Sequence, residues 1–529
     1  MRFPALASKK LLWILLGISG LLRLLLIGRG AVSIGDEFRY WYSAYMLLAL
    51  SKGDISHALL QLFETGGRPG LVFVQMPATL IQAVLFKVFG LDPRSTDSLM
   101  VPQLVNVAVS LWTIWLVYQL GQKLGGFSQK KALLAAFLYS LLASSSLYIR
   151  HLLPYQYALA AFLYTFLMVY QGRKAFWIGV ATAFAFTVYP GYWPLVGMAF
   201  LLLCLERNAF EGLKVFLQNL FRFGAGAFSV LLGFEGLSYI AGVSYFKLSA
   251  VAGNNFVYDP KLAYDGSMGL FIEYLWVTEG LVGMLLLIGT AWFLMQSAWK
   301  IIKFGAVSNL EYLCWALLGC LSLQTLLGYV TGMKVFYGRL FFQIMPFLLF
   351  ASCVLVFQYS NKLSEGKKAL FFVALAGLCL TKFIFFYQEY ATLGYPRDLF
   401  SALGYTQKAG DSNYDIRMID SLHDDLTRIV QVRPKVEFTQ PPNGLFVKNR
   451  LAKDSNCLFL NFVSLEYTGI CCYQPFMPPA SYTWLVKRRH YGNFKPYWFE
   501  GDLAGRRGLV AEEALWLGVL GPVSSHPER

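Results

Sequence analysis

Apolar runs of roughly 17 to 25 residues, the length a helix needs to cross a bilayer, recur along the chain from Leu11 to Tyr387. They fall at 11–28, 99–120, 132–149, 154–171, 175–190, 191–205, 223–241, 273–298, 310–331, 338–358 and 369–387. One further segment, 70–90, is apolar but striped, because Gln75, Thr79 and Gln82 recur on one helical face, Pro77 interrupts it and Lys87 lies near its end. A helix with a single polar face is expected to lie along the membrane interface, so this segment is read as a surface helix. Two others precede it. Gly35-Asp36-Glu37-Phe38-Arg39-Tyr40 opens into an apolar helix reaching about Leu50, and a second helix follows Asp54, with Ile55, Leu59, Leu62 and Phe63 on one face and His57, Gln61 and Glu64 on the other.

The positions of the cations orient this pattern. With a cytoplasmic N-terminus, the inner connections carry Arg2, Lys9, Lys10, Lys123, Lys130, Lys131, Arg173, Lys174, Arg207, Lys214, Arg222, Lys300, Lys303, Lys362, Lys367 and Lys368. The short outer connections carry only Arg150, Lys247, Lys261, Lys334 and Arg339. That bias has the sense of the positive-inside rule, and making 70–90 a span would invert every later loop and destroy it. The N-terminal stretch Leu11 to Ile27 has no small-x-small cleavage site after it, so it reads as an uncleaved first span.

Composition agrees: 57% of the 529 residues are hydrophobic and 14% charged, against roughly 25% charged in soluble domains. The net charge of +15 belongs to membrane-flanking loops, and no basic stretch is presented by a soluble fold, which excludes nucleic acid as a partner. Cys204, Cys314, Cys320, Cys353 and Cys379 lie in apolar runs and behave as small hydrophobes. Cys457, Cys471 and Cys472 lack zinc-like spacing, and their pairing is open.

The residues able to do chemistry collect on the outer side. Asp36, Glu37, Arg39 and Tyr40 open the first outer loop (29–98), which later carries Arg68-Pro69-Gly70-Leu71. The same face receives Arg150-His151, then Asp259, Lys261 and Asp265, then Tyr337-Gly338-Arg339. Each feature has a plainer reading. Asp36-Glu37 suits a helix start, Arg150-His151 a membrane anchor, and Asp259-Pro260 and Asp265-Gly266 are turn dipeptides. Glu273 and Glu279, at or just inside a span, are acids where acids are costly. Adjacent acids on one helix diverge by about 100°, so Asp36-Glu37 makes a poor metal clasp, and no DxD motif accompanies it.

Asp36-Glu37-Phe38-Arg39-Tyr40, followed by Met46 and Lys52-Gly53-Asp54, resembles the first periplasmic loop of the lipid A aminoarabinose transferases and, more distantly, of protein O-mannosyltransferases. Arg68-Pro69-Gly70-Leu71 is similar to their basic-Pro-Pro element, with Arg for Lys and Gly for the second Pro; Arg339 through Pro346-Phe347-Leu348 is similar to their late motif. The resemblance covers residues 1 to about 390 and is strongest over 30–90. The chain departs from it where many relatives carry a second acid, showing Tyr155 and Gln156 instead.

The resemblance implies a GT-C-like, all-α polytopic membrane protein of about 11 to 13 transmembrane helices with juxtamembrane helices in the first outer loop. It implies glycosyl transfer from a polyprenyl-phosphate sugar to a hydroxyl acceptor on lipid, glycan or protein, with no cofactor beyond that donor and no metal. Asp36 is then the base and Glu37 its support. Arg39, Arg68 and Arg339 bind the donor phosphate, and Tyr40, Arg150, His151 and Glu273 are candidate substrate contacts.

Past 390 the pattern changes. The transmembrane domain is expected over 1–390 and a small extracytoplasmic α/β domain over 391–529. The latter is read with a helical stripe from Asp415 to Val430, strand-like runs at Val436 to Thr439, Leu445 to Lys448 and Cys457 to Val463, and a helix from Ala511 to Leu520.

Overall fold

The computed structural model describes residues 5–27, 39–65, 67–91, 98–258, 270–305, 307–331 and 338–391, with strand segments between 416 and 522. Helix α1 (Ala5–Leu24) precedes two short helices, α2 (Trp41–Ser51) and α3 (Ile55–Phe63), and the longer α4 (Pro69–Phe89). After α5 (Met100–Lys123) the chain is helical in three pieces, α6 (Gln129–Ser140), the one-turn α7 (Ser144–Leu147) and α8 (Tyr155–Tyr170). Then follow α9 (Ala175–Val188), α10 (Trp193–Glu206), α11 (Leu213–Ile240), α12 (Tyr245–Tyr258) and α13 (Leu270–Glu279). The series ends with α14 (Leu281–Phe304), α15 (Asn309–Thr331), α16 (Gly338–Phe341), α17 (Met345–Ser360) and α18 (Glu365–Ala391).

Among the described residues six helices are long and apolar enough to cross a membrane: α4, α5, α11, α14, the Phe342–Ser360 helix that contains α17, and α18. The protein is an all-α polytopic membrane protein. The two short runs expected over 175–190 and 191–205 are the short apolar helices Ala175–Val188 and Pro190–Glu206, and the run expected over 132–149 leaves the α-helix after Ser140. Trp13, Leu21, Phe221, Ile302, Leu370 and Val373 point outward from the bundle, an apolar exterior that suits lipid and not water. One large buried cluster runs from Leu12 and Leu16 of α1 to Cys379 and Phe383 of α18.

The ends of the bundle differ. At one end Arg207 donates to the Arg173 carbonyl at 2.6 Å, Lys300 meets Glu311 at 2.7 Å, and Lys131 lies over the Phe357 ring. At the other end the start of α5 reaches the 149–151 backbone, Tyr155 at the start of α8 packs on Tyr189 just past α9, and Ser56 of α3 lies beside the Ile240 carbonyl that ends α11. Helices α2, α3 and α4 pack at this second end, with Met46, Leu62, Phe63 and Val72 against Phe234 and Tyr245.

Asp54 caps α3 as its position before an amphipathic run predicts, accepting the His57 N–H at 3.0 Å. The buried face of α3 is Ala58, Gln61, Leu62 and Phe63, while Ile55 is exposed, so the apolar side is rotated from the expected one.

Contrary to what is expected of a surface helix, the polar stripe of 70–90 does not face headgroups. The polar stripe of α4 faces protein: Gln82 Oε1 accepts from the Tyr40 hydroxyl at 2.6 Å, Thr79 pairs with Ser43 at 2.6 Å, and Gln75 donates to the Leu152 carbonyl at 3.2 Å. Its outward face is apolar, with Leu80, Ile81, Val84 and Phe86 exposed. Length and composition therefore allow α4 to span. The contacts of its polar face lie at the α2–α3 end of the bundle, where Gln82 also donates to the Ser98 carbonyl, just ahead of α5.

Beyond Ala391 short strands are described, β1 (Ile416–Arg417), β2 (Gln431–Val432), β3 (Val436–Phe438), β4 (Gly444–Asn449), β5 (Cys457–Asn461), β6 (Tyr482–Arg489) and β7 (Trp516–Pro522). The last covers the second half of the helix expected over 511–520, whose first half lies outside the described residues: β7 pairs antiparallel with β5 and β6, which gives partners to backbone groups of a segment whose Gly518 and Gly521 disfavour helix. Most of the helical stripe expected over 415–430 lies outside the described residues.

Candidate functional site

A chain that leaves the α-helix inside a membrane protein exposes N–H and C=O groups that neither lipid nor its own helix can satisfy, each costing several kcal/mol if left bare. Residues 141–154 do this apart from the single turn of α7, and side chains from five other helices meet them. Asn106 Nδ2 donates to the carbonyls of Ile149 (2.9 Å) and His151 (2.8 Å), and Gln103 Nε2 to that of Arg150 (2.8 Å). Gln75 serves Leu152, while Ser110 and Gln156 serve the Ser145 carbonyl. Arg23, in the last turn of α1, is buried: its guanidinium donates to Ser110 Oγ (2.9 Å), Ser145 Oγ (3.0 Å) and the Ser140 carbonyl (3.3 Å). The carboxylate of Glu279 accepts from the Ala143 and Ser144 N–H groups.

Arg150 and His151 ride on this held connection and are both buried, at 1% and 0% exposure, rather than anchoring at a surface. Burial, reinforced by the adjacent Arg150 charge, holds the His151 imidazole well below its usual range, so it is neutral at physiological pH. A wall of rings leads away from them. Tyr148 packs edge-on to Tyr155 at 4.9 Å, Tyr155 to Tyr189 at 4.8 Å, and the Arg68 guanidinium lies 5.3 Å from the Tyr189 centroid. Cation and ring attract through the quadrupole of the ring face.

Arg68 reaches that position because of the turn before it. Thr65 Oγ1 donates to the Leu62 carbonyl and accepts the Arg68 N–H, after which Pro69 starts α4 with its φ already helical. Gly70 fits where little else does, since a Cβ there would lie 2.5 Å from Thr187 Oγ1 and 2.8 Å from the Val188 nitrogen.

Of the remaining expected site residues, Tyr40 is buried and bonded to Gln82, and Arg39 is half-buried in the turn ahead of α2. The backbone of Arg339 lies in α16, near Phe342, whose ring packs 5.4 Å from Tyr148. Glu273 is placed by its backbone on α13, next to Tyr274, whose ring meets Phe341. Asp36 and Glu37 lie outside the described residues, as do Asp259, Lys261 and Asp265. The structure thus brings Arg68, Tyr40, Arg150, His151 and the α16 backbone to one end of the bundle.

Sequence reasoning missed Gln103 and Asn106 as parts of this site, and singled out Glu279 only as an acid in a costly place. A signal was present: Gln103 and Asn106 recur three residues apart inside an apolar run, much as Gln75, Thr79 and Gln82 recur at intervals of four and three on α4. Among the described residues no three His, Cys, Asp or Glu side chains gather as a metal-binding group. No family model, curated protein or solved structure matches the chain.

Proposed function

We propose that this protein transfers a sugar from a polyprenyl-phosphate carrier to a hydroxyl on a lipid, glycan or protein at the extracytoplasmic face of the cell membrane. The observation that carries the reading is the cationic, tyrosine-walled end of the bundle, where Arg68 and Arg150 are buried and where the short helices α2 and α3 also pack. Buried guanidinium groups next to a lipid boundary are suited to an anionic lipid headgroup. The lysine-rich opposite end then faces the cytoplasm with the N-terminus.

A phosphate-linked sugar carries its own good leaving group. Transfer needs one carboxylate to take the acceptor proton and cations to hold the charge that develops on the departing phosphate. Asp36 is the base, with Glu37 beside it; Arg39, Arg68 and Arg339 hold the phosphate; Arg150, His151, Tyr40 and Glu273 shape the donor site. Direct attack by the acceptor inverts the anomeric centre once. The full reading has about 11 to 13 spans in the GT-C manner, with residues 391–529 forming an extracytoplasmic domain.

The test combines a variant with a product analysis. Asp36→Asn should lower transfer by about 10² to 10⁴ while leaving donor binding intact, and the product linkage should have the opposite configuration to the donor. Retained configuration, or full activity in Asp36→Asn, overturns the single-displacement mechanism with this base.

A lipid-linked substrate transporter is the second reading. It is favoured by a pair of helix interruptions that meet inside the bundle, the 141–154 connection and the α13–α14 joint at Gly280, bridged by Glu279. Movement of a labelled polyprenyl-phosphate sugar across vesicles without formation of a glycosylated product would favour it.

A further inference from the structure

Glu279 ends α13 at a joint in the chain. Gly280 follows with φ +58° and ψ −136°, a backbone geometry that side chains rarely adopt, and α14 begins at Leu281. The carboxylate is fully buried, and both of its oxygens are used. Oε2 accepts the Ala143 N–H at 2.9 Å and Oε1 the Ser144 N–H at 2.8 Å. These N–H groups stand at the start of the one-turn helix α7, where no preceding turn supplies an acceptor. A buried acid within a membrane protein is costly, and this one is spent on the backbone of a segment that already departs from helix.

That segment carries Arg150 and His151. From Ser144 the chain runs through α7 and two tight turns, Ile149 N–H to Ser146 carbonyl and His151 N–H to Tyr148 carbonyl, so a shift at its start is passed on to residues 149–151. Asn106 and Gln103 pin the far end through the Ile149, Arg150 and His151 carbonyls. Glu279 pins the near end.

We infer that Glu279 is the positioning residue for Arg150 and His151: it touches no substrate, but fixes the connection that carries these groups to the donor site they shape. The inference rests on the transfer reading for the identity of the ligand, and not for the mechanical role.

The experiment uses the full-length protein in lipid nanodiscs. Glu279→Gln keeps the shape of the side chain but offers one acceptor and one donor where two N–H groups need acceptors, so one of them loses its partner. Hydrogen exchange over 141–152 should speed up roughly tenfold, the effect of losing one charge-assisted bond. Exchange in α5 and α8 should stay as in the wild type. Affinity for a polyprenyl monophosphate should fall by a similar factor. Asn106→Ala, which frees the other end, should give the same local signature if Glu279→Gln does not fold. Unchanged exchange over 141–152, or a uniform rise across all helices, overturns the positioning role. If the wild type binds no polyprenyl monophosphate, the transfer reading fails, while a local rise in Glu279→Gln still supports the positioning role.

Discussion

Arg68 shows how much one side chain can depend on a short turn. Thr65 fixes its N–H, Pro69 fixes the helix that follows, and Tyr189 lies beneath the guanidinium. We expect Arg68→Ala to weaken polyprenyl-phosphate binding by roughly 1.5 to 3 kcal/mol, the worth of a charge-assisted contact, with little change in melting temperature. Equal affinity in the variant, measured by titration in nanodiscs, would mean that the guanidinium takes no part in donor binding. His151 leads to a second expectation, about pH. Its folded-state pKa lies well below the unfolded value of 6.5. Above that value the imidazole is neutral in both states and contributes no pH dependence. As pH falls below it, the unfolded chain takes up a proton that the folded chain refuses, so stability declines. Melting temperatures followed from about pH 8 to 5.5 should fall less steeply for His151→Gln than for the wild type; parallel curves would count against burial of the imidazole.

At the scale of elements, the 141–154 connection depends on amides that belong to other helices. Asn106→Leu preserves the volume of the α5 face but leaves the Ile149 and His151 carbonyls without their donor. A destabilisation of about 2 to 3 kcal/mol is expected from the two carbonyls left bare, read as a lower melting temperature in detergent. A neutral result would mean that water replaces the amide. The same elements mark the limit of pattern reading. Strong periodic runs such as those of α5, α11 and α18 were legible, since any helix that meets lipid must be apolar over its length. The stripe of α4 was legible too, but not its partner: Gln75, Thr79 and Gln82 look alike whether they face headgroups or Tyr40, Ser43 and Leu152. The break after Ser140 was hidden for a related reason. Leu141, Leu142 and Ala143 are good helix formers, and they leave the helix because Arg23, Glu279 and Asn106 offer their neighbours better partners.

For the whole molecule, the separation of a lysine-rich end from the end bearing α2, α3 and α4 leads to a prediction of sidedness. With the N-terminus in the cytoplasm, a reporter active only outside the cytoplasm, fused after Arg529, should give signal, and a cytoplasm-active one should not. The reverse result would place the proposed donor site on the wrong side of the membrane. The sequence by itself determined that the chain is a polytopic helical membrane protein and which loops carry its cations, because transfer into hydrocarbon penalises each polar group wherever the chain goes next. Only the tertiary structure decided which polar residues inside the apolar runs are buried partners, that Arg23, Arg150 and His151 lie in the interior, and that Glu279 closes the gap between α13 and α7. Those outcomes depend on groups far apart in the chain meeting within 3 Å or so, a hydrogen-bond distance that periodicity along one helix does not encode.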